Sequence, residues 1–520
     1  MMTTSPVLIV GGGPVGLSLA LGLARHGVRS TLVERNETTS RTSRAPAIHV
    51  RTLETLRPWG VAERLLEEGD LLTSLTIHEA SPDSRPLVSL DLEEFADDVD
   101  SPGLLLLEQG RTEELLLEAV RESGLCEVRF GTEAVGLEAD PDGVNVVTAP
   151  AEKDEPPSRT RARFVVGCDG ARSFVRDALG LSFEGITYGL SPMLADVRVD
   201  RALDALPFPR FQDDDDGLTF GIRLDPGVWR LIRLDVDPPP AGQGEADEVG
   251  EGEVARRARQ VLGTEDVDTL WASRFRIHRR SAPSFRVGRV VLAGDAAHVH
   301  SPVGGMGMNA GIQDAGNLAW KLRNALNGGN VDRLLDSYET ERRAMVVGSV
   351  SRYTDLVTRW FLQRSRRARR AAFAGLALAL NVPAARKRAA RRTMMIDLDC
   401  PASDLVDPSG RAAGVRLPNP KLQGPLGRRA RLHDLLGTGP ALIEVTGRGG
   451  IAMQGPPAIR RLRIGPDDWR DPDDGIRRLL GGRDGRILVR PDGHVAWARR
   501  SAFGVKDAIR RALGFDPVRR

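Results

Sequence analysis

The sequence predicts an α/β fold built on a parallel sheet, and three stretches of the chain support this prediction. Val7–Val10 is an apolar run without alternation, typical of a parallel strand covered on both faces, and the glycine-rich GGGPVG follows at once. Val290–Leu322 repeats the order of strand, glycine-rich turn and helix. Residues 218–224 and 228–236 instead alternate apolar and polar residues, which predicts a second sheet with one face buried.

The first unit has the features of a dinucleotide-binding turn. Gly11 permits a tight turn, Gly13 lets the backbone approach a pyrophosphate, and Gly16 lets the following helix pack against the strand. The returning strand, 29–34, ends in Glu34, about 20 residues on, where an acid accepts hydrogen bonds from ribose hydroxyls. We therefore expect the ADP half of a dinucleotide here.

The second unit predicts the chemical nature of the other half. Asp295 ends its strand, and Gly304, Gly305 and Gly307 expose backbone N–H groups at the start of a helix. A helix N-terminus stabilises negative charge, which a reduced flavin carries at its pyrimidine edge and a nicotinamide does not. The two units together predict one long flavin dinucleotide.

A third strand end lies between them in Phe164–Arg176. It offers Asp169 beside a glycine, with Arg172 and Arg176 one helical turn apart. Taken alone, the pattern is equally typical of an ordinary strand end with a surface ion pair.

Composition excludes several classes of protein. The 520 residues contain 73 Lys and Arg against 71 Asp and Glu, so overall charge gives no argument for nucleic acid as a partner. The three cysteines have neither CxxC nor metal-ligand spacing, so we expect no metal and a reducing compartment. With no leader-like N-terminus and no apolar run of about 18 residues, we expect a cytoplasmic protein without a transmembrane segment.

Two acidic stretches, 212–217 and 238–252, predict solvated loops within the strand-rich region. The sheet of that region is expected to cover a pocket, although each candidate lining residue is equally consistent with plain core. The candidate lining residues are Phe220, Ile222, Trp229 and Leu231.

Arginine clusters at 364–370 and 386–392 flank an apolar stretch. They favour a solvated helical face, with an interfacial amphipathic helix or a nucleic-acid patch as alternatives.

Taken together, GGGPVG, GCDGARSFVR and GDAAHVHSPVGGMGMNAGIQDAGNLAWKL resemble the three motifs of the group A flavoprotein monooxygenases. The resemblance implies FAD as cofactor, with Arg44 reaching its phosphates and Gln109 contacting it from a helix. It also implies transient docking of NAD(P)H, for which Asp169 and Arg172 are our candidate contacts. Met306 and Ala310 replace polar side chains of the family pattern but leave the backbone donors in place. The implied FAD contacts are Gly11, Gly13, Pro14, Val15, Gly16, Glu34, Arg35, Arg44, Gln109, Asp169, Gly294, Asp295, Pro302, Gly305, Gly307, Met308 and Asn309.

The C-terminal segments GVRLPNP and LVRPDGHVAW are similar to the thioredoxin-like domain of the phenol and polyketide hydroxylase branch. Because this tail lacks CxxC, we expect a structural role for it. The resemblance implies an FAD-binding domain in 1–187, with 76–102 contributing to the substrate domain. It further implies a middle substrate domain in 188–280. The rest of the FAD-binding domain, with linker helices, follows in 281–398, and a thioredoxin-like domain follows in 399–520.

The implied reaction is hydroxylation of an aromatic polyketide or related polycyclic phenol. NADPH or NADH reduces FAD, O2 forms a flavin C4a-hydroperoxide, and one oxygen atom reaches the ring. Baeyer–Villiger insertion and epoxidation use the same chemistry and stay open, as does a non-oxygenating FAD reductase or binding protein. His49 is the candidate general base among His49, His78, His278, His298 and His300, whereas His298 is expected to order the GDAAH turn. We expect a monomer or a homodimer.

Overall fold

The computed structural model describes residues 2–40, 45–80, 86–150, 156–188, 191–235, 246–247, 249–361, 365–400, 403–407, 412–447, 459–500 and 505–516. Arg44, Arg364 and most of the acidic stretch 238–252 lie outside these ranges, so the predictions made for them concern residues that the structure does not describe.

The first part of the chain supplies most of a parallel sheet and the helices against it. Its helices are α1 (Pro14–Arg25), α2 (Val50–Leu56), α3 (Ala62–Glu68), α4 (Gln109–Glu122) and α5 (Phe174–Ala178). Its strands are β1 (Met2–Val10), β2 (Ser30–Val33), β3 (Ala47–His49), β4 (Asp70–Leu72), β5 (Ser74–Glu79), β6 (Pro86–Asp91), β7 (Leu104–Leu106), β8 (Cys126–Arg129), β9 (Thr132–Asp140), β10 (Gly143–Pro150), β11 (Ser158–Gly167) and β12 (Glu184–Thr187).

The middle part of the chain forms strands with a single long helix against them. These elements are β13 (Met193–Arg198), β14 (Arg210–Asp214), β15 (Gly217–Asp225), β16 (Val228–Asp235), β17 (Ala246–Asp247), α6 (Glu251–Leu262) and β18 (Asp268–Phe275). They join β5 and β6 in one sheet of order β17-β18-β13-β16-β15-β14-β5-β6. Helix α6 covers one face of this sheet through Val254, Ala258 and Val261.

The chain then returns to the parallel sheet and continues as helices. These elements are β19 (His278–Ser281), β20 (Arg286–Val287), β21 (Val290–Leu292), β22 (His298–Val299), α7 (Met306–Leu326), α8 (Val331–Met345), α9 (Ser351–Phe361), α10 (Arg366–Leu380) and α11 (Pro383–Thr393). Among the described residues, none of the helices combines the length and apolarity that crossing a bilayer requires.

The C-terminal part forms a separate mixed sheet of order β26-β25-β27-β28. Strands β25 and β26 run parallel, whereas β27 is antiparallel to both of its neighbours. The apolar runs 441–445 and 487–489 are both in strands of this sheet. Its elements are β23 (Lys421–Gln423), β24 (Arg429–Arg431), β25 (Ala441–Val445), β26 (Arg460–Ile464), α12 (Gly475–Leu479), β27 (Gly485–Val489), β28 (Val495–Arg499) and α13 (Val505–Ala512).

The predicted α/β class is confirmed by the large sheet of order β20-β21-β11-β1-β2-β8. Strand β1 is parallel to β2 and β11, and β11 is parallel to β21. In this register Val10 lies beside Gly167, which lies beside Leu292, so three strands end at the same level. The three motifs that follow them therefore meet at one edge of the sheet.

The prediction of a solvated loop over 212–217 is wrong for its first half and confirmed for Asp215 and Asp216, which form an exposed turn. Asp213 and Asp214 belong to β14, and Asp213 is only 1% exposed, with its carboxylate accepting from Arg369 of α10 at 2.6 Å. Asp214 accepts from Arg233. A run of acids usually marks a solvated segment, but cations from distant parts of the chain neutralise this one.

Candidate cofactor and substrate site

The turn after β1 has the geometry that its three glycines predicted. Gly11 has a φ of +109°, and a Cβ there would lie 2.4 Å from the carbonyl oxygen of Cys168. A Cβ on Gly16 would meet the carbonyl oxygen of Gly11 at 1.9 Å, so helix α1 needs a glycine to pack this closely. Gly13 caps α1 and faces open space, as a backbone cradle for a phosphate requires. Pro14 and Val15 begin α1 behind it.

Glu34 closes this turn from the end of β2. Its Oε2 accepts from the backbone N–H of Gly12 at 2.7 Å, and its Oε1 accepts from that of Asn36 at 2.9 Å. The carboxylate is thus fixed beside the glycine turn, where it was predicted to meet a ribose. The neighbouring Arg35 is exposed.

Helix α4 brings Gln109 to this region and reveals a residue that we did not predict. The side-chain amide of Gln109 donates to Glu113 at 2.8 Å, and Glu113 also accepts from the backbone N–H of Ser40 at 2.8 Å. Glu113 is 2% exposed, and burial raises its pKa. An acid one turn into a helix, four residues after a predicted ligand, was the available signal in the sequence.

Asp169, at the end of β11, supports the start of α5. Its carboxylate accepts from the Ser173 hydroxyl at 2.6 Å and from the Val175 N–H at 3.0 Å, and burial raises its pKa. The sequence spacing predicted Arg172 and Arg176 on one helix, but Arg172 lies exposed in the turn before α5 and only Arg176 is on the helix. Arg176 is buried and donates to the carbonyls of Ala171 and Ala296, tying this turn to the one that contains Asp295.

The turn after β21 presents Asp295 to solvent and rests on a buried group that we name the GD-turn cluster, consisting of Asp314, His298 and Arg342. Asp314 Oδ2 accepts from the Gly294 N–H at 2.9 Å and contacts His298 Nε2 at 2.7 Å. Its Oδ1 accepts from Arg342 Nε at 2.5 Å. Burial alone would raise the pKa of Asp314, but Arg342 and His298 lower it to about 2. Sequence reasoning missed Asp314, because nothing in its helical pattern distinguishes it from a surface acid.

The loop before α7 is held open by glycines. Gly304 and Gly305 have φ values of +89° and +64°, in the region that favours glycine, and a Cβ on Gly307 would face open space. The cradle therefore leaves room for a ring at the positive end of a long helix. The adjoining Pro302 is exposed on this loop, whereas Met306 is 2% exposed and Met308 is 9% exposed.

Asn309 fastens this loop to β3. Its amide donates to the carbonyls of Ala47 at 2.7 Å and Gly305 at 2.8 Å, and its Oδ1 accepts from the His49 N–H at 2.9 Å. The side chain is committed to the protein, so it positions the loop. A contact of Asn309 with the cofactor is left to its backbone.

Three of the five candidate histidines, His49, His298 and His300, have a buried ring nitrogen without a hydrogen-bond partner among the described residues. His49 is 1% exposed, its Nδ1 contacts the carbonyl of Thr393, and its Nε2 has no partner among the described residues. Neither ring nitrogen of His300 has a hydrogen-bond partner among the described residues. Burial lowers the pKa of His49, and burial together with His298 lowers that of His300 to about 3, which favours the neutral form of both rings. His298 differs from both because its Nε2 contacts the carboxylate of Asp314, while its Nδ1 has no partner among the described residues. His278 contacts Thr187, and His78 lies on β5.

The four substrate-lining candidates divide between two faces of the middle sheet. Trp229 and Leu231 are fully buried in the core under α6, so they do not line a pocket on the opposite face. Phe220 and Ile222 lie on that opposite face and are half-buried. The alternation along β15 and β16 was predicted correctly, but the face that looks toward the cofactor is decided by packing.

An ion pair on the Phe220 face connects it with the cofactor region. Arg230 lies beside Ile222 in register and donates two 2.8 Å hydrogen bonds to Asp196. Burial and the nearby Asp196 raise the pKa of Glu108, the residue directly before Gln109. The Phe220 face and the N-terminus of α4 are therefore neighbours.

The FAD binding domain family model matches residues 4–352, and the aromatic-ring hydroxylase C-terminal family model matches residues 410–515. The chain belongs to the FAD-dependent aromatic-ring hydroxylases. It is similar to a rifampicin monooxygenase of Streptomyces venezuelae, with 32% identity over 95% of each chain. Its structure resembles that of the anhydrotetracycline hydroxylase OxyS from Streptomyces rimosus, with 30% identity, a TM-score of 0.80, and 99% of this chain and 100% of the other covered.

One relative is named as a synthase and not as a monooxygenase. A dialkyldecalin synthase of Streptomyces rugosporus is 30% identical over 98% of each chain. The family models and the monooxygenase relatives confirm the prediction that the chain is an FAD-dependent enzyme of the monooxygenase type. The synthase shows that the relatives are not all named for the same reaction.

Proposed function

We propose that this chain uses NAD(P)H and O2 to hydroxylate an aromatic polyketide or a related polycyclic phenol. The observation that carries the proposal is the meeting of three strand ends, after Val10, Gly167 and Leu292, at one sheet edge beside the Phe220 face. Tetracycline and rifampicin appear in the names of relatives, which supports a polycyclic substrate.

FAD, when bound, accepts a hydride from NAD(P)H and activates O2 for transfer of one oxygen atom. The Gly11–Gly16 turn would hold its pyrophosphate, and the N-terminus of α7 would hold its pyrimidine edge. Ser301 is fully buried and accepts from Thr358 of α9 at 2.5 Å, while Met306 packs on Met345. The loop is thus sealed on its protein side, which keeps water from the reacting region.

The division of the chain into an FAD-binding domain, a middle substrate domain and a C-terminal domain is part of this proposal. It is supported by the separation of the large parallel sheet, the middle sheet and the C-terminal mixed sheet, and by the presence of β5 and β6 in the middle sheet. Contacts of Asp169 and Arg172 with NAD(P)H belong to the same proposal, and Arg172 lies exposed in its turn.

The decisive experiment measures substrate-stimulated NADPH oxidation by the FAD-loaded enzyme across a panel of polyphenolic polyketides. We expect a product that gains the mass of one oxygen atom and a new phenolic hydroxyl. Ring expansion or an epoxide would instead identify the alternative oxygenations. Tight FAD binding without stimulated oxidation or oxygenated product across a broad panel would contradict the proposal.

The similarity to a dialkyldecalin synthase favours one second candidate, a cyclisation that does not add oxygen. It predicts a product isomeric with its substrate and no O2 consumption. An oxygen electrode and mass spectrometry on the same reaction separate the two functions.

For the pocket, we propose that Phe220 and Ile222 contact the substrate. Phe220→Ala should raise KM for substrate and leave FAD content unchanged, because its side chain lies on the face toward the cofactor. Leu231→Ala on the α6 face is the control, since it should cost about 2–5 kcal/mol of stability without changing substrate preference. Equal changes in substrate preference for both variants would contradict this assignment.

For proton transfer, we propose a neutral histidine beside the loop, either His49 as first predicted or His300. We expect one of the two variants, His49→Gln or His300→Gln, to lower the rate of the chemical step by a factor of roughly 10²–10⁴. The same variant should lose the acidic limb of the pH–rate profile. His26→Gln, at the far end of α1, is the matched control. An unchanged profile in both site variants would exclude both side chains as the base.

A further inference from the structure

The segment 351–393, which includes α9, α10 and α11, carries a large net positive charge. Residues 351–393 contain twelve Arg and Lys and a single acid, Asp355, while the whole chain has a net charge of +2. The rest of the chain is therefore net acidic. Such a concentration of one charge in 43 consecutive residues requires a physical explanation.

Part of this charge is used inside the molecule. Arg369 pairs with Asp213, Arg386 with Glu94, and Arg391 with Asp98. Four other cations are exposed and have no carboxylate of the described residues within ion-pair distance, namely Arg352, Arg367, Lys387 and Arg388. The internal pairs therefore do not account for the whole excess.

The same segment exposes large apolar side chains. Leu356 and Trp360 of α9 are 54% and 43% exposed, Leu378 of α10 is 71% exposed, and Val382 before α11 is 54% exposed. These four are among only nine large apolar residues in the described parts of the chain that are this exposed. Their concentration indicates a surface that favours contact with something other than water.

The apolar and basic residues share helix faces. Arg352, Leu356, Arg359 and Trp360 follow the three- and four-residue spacing of one face of α9, while Thr354 and Thr358 are buried on the other. On α10, Arg367 and Leu378 lie on the face opposite the buried Phe373 and Leu380. Lys387 and Arg388 of α11 are exposed as well. Cations beside protruding Leu and Trp are typical of helices that lie in a membrane interface.

We propose that this surface, formed by the exposed residues of α9, α10 and α11, binds the surface of an anionic lipid bilayer. The cations would contact phosphate headgroups while Leu356, Trp360, Leu378 and Val382 enter the boundary with the acyl chains. A bilayer accepts protruding apolar groups at any spacing, whereas a protein partner needs matching pockets. A symmetric contact with a second copy would bring like charges together. The inference does not depend on the proposed reaction.

The test is cosedimentation of the FAD-loaded full chain with vesicles of phosphatidylcholine alone or mixed with phosphatidylglycerol. We expect binding to the anionic vesicles only, weakening as salt increases. Lys387→Gln with Arg388→Gln should reduce the partition coefficient roughly 30-fold, because each basic residue contributes about 1 kcal/mol near an anionic surface. Leu378→Ser with Val382→Ser tests the apolar contribution. This variant should reduce the partition coefficient roughly tenfold or more relative to the wild type.

The matched control is Leu426→Ser with Arg429→Gln, which removes an exposed apolar residue and an exposed cation from the C-terminal part. Its vesicle binding should equal that of the wild type, and all variants should keep their flavin absorption spectrum. The proposal is overturned by failure of the wild type to sediment with anionic vesicles, or by equal loss in the control. It is also overturned if the surface binds duplex DNA or an acidic protein but no vesicles, or if Leu356→Ser with Trp360→Ser dissociates a dimer.

Discussion

Two buried ionic groups on the same pair of helices do different work. The GD-turn cluster joins Asp314 of α7 to Arg342 of α8 and holds Gly294 beside the exposed Asp295. The second group, which we name the C-terminal cluster, consists of Glu341, Lys321, Asn317, Arg490 and Asp492. Glu341 accepts from Lys321 at 2.9 Å, from Asn317 at 2.7 Å and from Arg490 at 2.7 Å. Adjacent residues of α8 thus support the cofactor turn and the docking of the C-terminal part.

The two clusters differ in what each would lose without its acid. Glu341 neutralises two cations from two parts of the chain, Lys321 and Arg490, both fully buried. Asp314 neutralises Arg342 and also fixes a backbone turn of the cofactor site. The C-terminal cluster should therefore matter most for stability, and the GD-turn cluster most for FAD binding.

The largest expected effect is that of Glu341→Ala. It leaves Lys321 and Arg490 buried with reduced compensation, and breaking a buried pair in this way costs about 3–5 kcal/mol. We expect a correspondingly lower free energy of unfolding in urea, while any folded fraction retains its affinity for FAD. A FAD affinity that falls in proportion to stability would show that the two clusters act as one.

Asp314→Asn should have the opposite balance. The amide keeps the shape of the side chain but not the charge that binds Arg342 and His298, and it weakens the contact with the Gly294 N–H. We expect a roughly 10- to 100-fold loss of FAD affinity, measured by fluorescence quenching, by analogy with the loss of supporting groups behind a ligand. Unchanged affinity would contradict the role given to the GD-turn cluster.

Acid should weaken both regions in overlapping ranges of pH. Burial opposes ionisation, but Arg416 lowers the pKa of Glu54, beside the C-terminal part, to about 2. For Glu54 and Asp314 the folded-state pKa lies below the unfolded value. Their contribution is therefore complete above about pH 4.5 and is lost as the pH falls toward about 2. Glu54→Gln should flatten the dependence of unfolding free energy on pH in this range, and an unchanged slope would contradict it.

The smallest expected effect concerns Met306, where the family pattern has a polar residue. Met306 packs with Met345, Val346 and Met395 and is 2% exposed, so a Gln amide would be buried without an evident partner. We expect Met306→Gln to cost about 1–3 kcal/mol of stability and to leave FAD affinity unchanged. Met306→Leu, which keeps the apolar volume, is the control and should cost less than about 1.5 kcal/mol.

A cavity lies between the C-terminal part and the helices α2 and α7. Its volume is about 280 Å³, and Arg51, Asn317, Arg490 and His494 are among its lining residues. Gly304 and Phe220 do not line it, so this cavity is separate from the proposed cofactor site.

The sequence by itself determined the strand, turn and helix units, because glycine spacing and apolar periodicity are local properties with direct steric causes. It also placed Gly11, Glu34 and Asp295 at strand ends and Gly16 in the helix that packs on the first strand, where the structure has them. The three strand-end positions required only the knowledge that parallel strands end at a common edge.

Only the tertiary structure decided which side chains support these units and which face of the middle sheet serves the site. Asp213 became a buried partner of Arg369, and Trp229 became core under α6, although local patterns predicted a loop and a pocket wall. Asp314, Glu113 and Glu341 are inconspicuous in the sequence, since their partners are 20 to 149 residues away or lie on another helix turn. Burial and charge pairing depend on contacts between distant segments, and no local pattern records them.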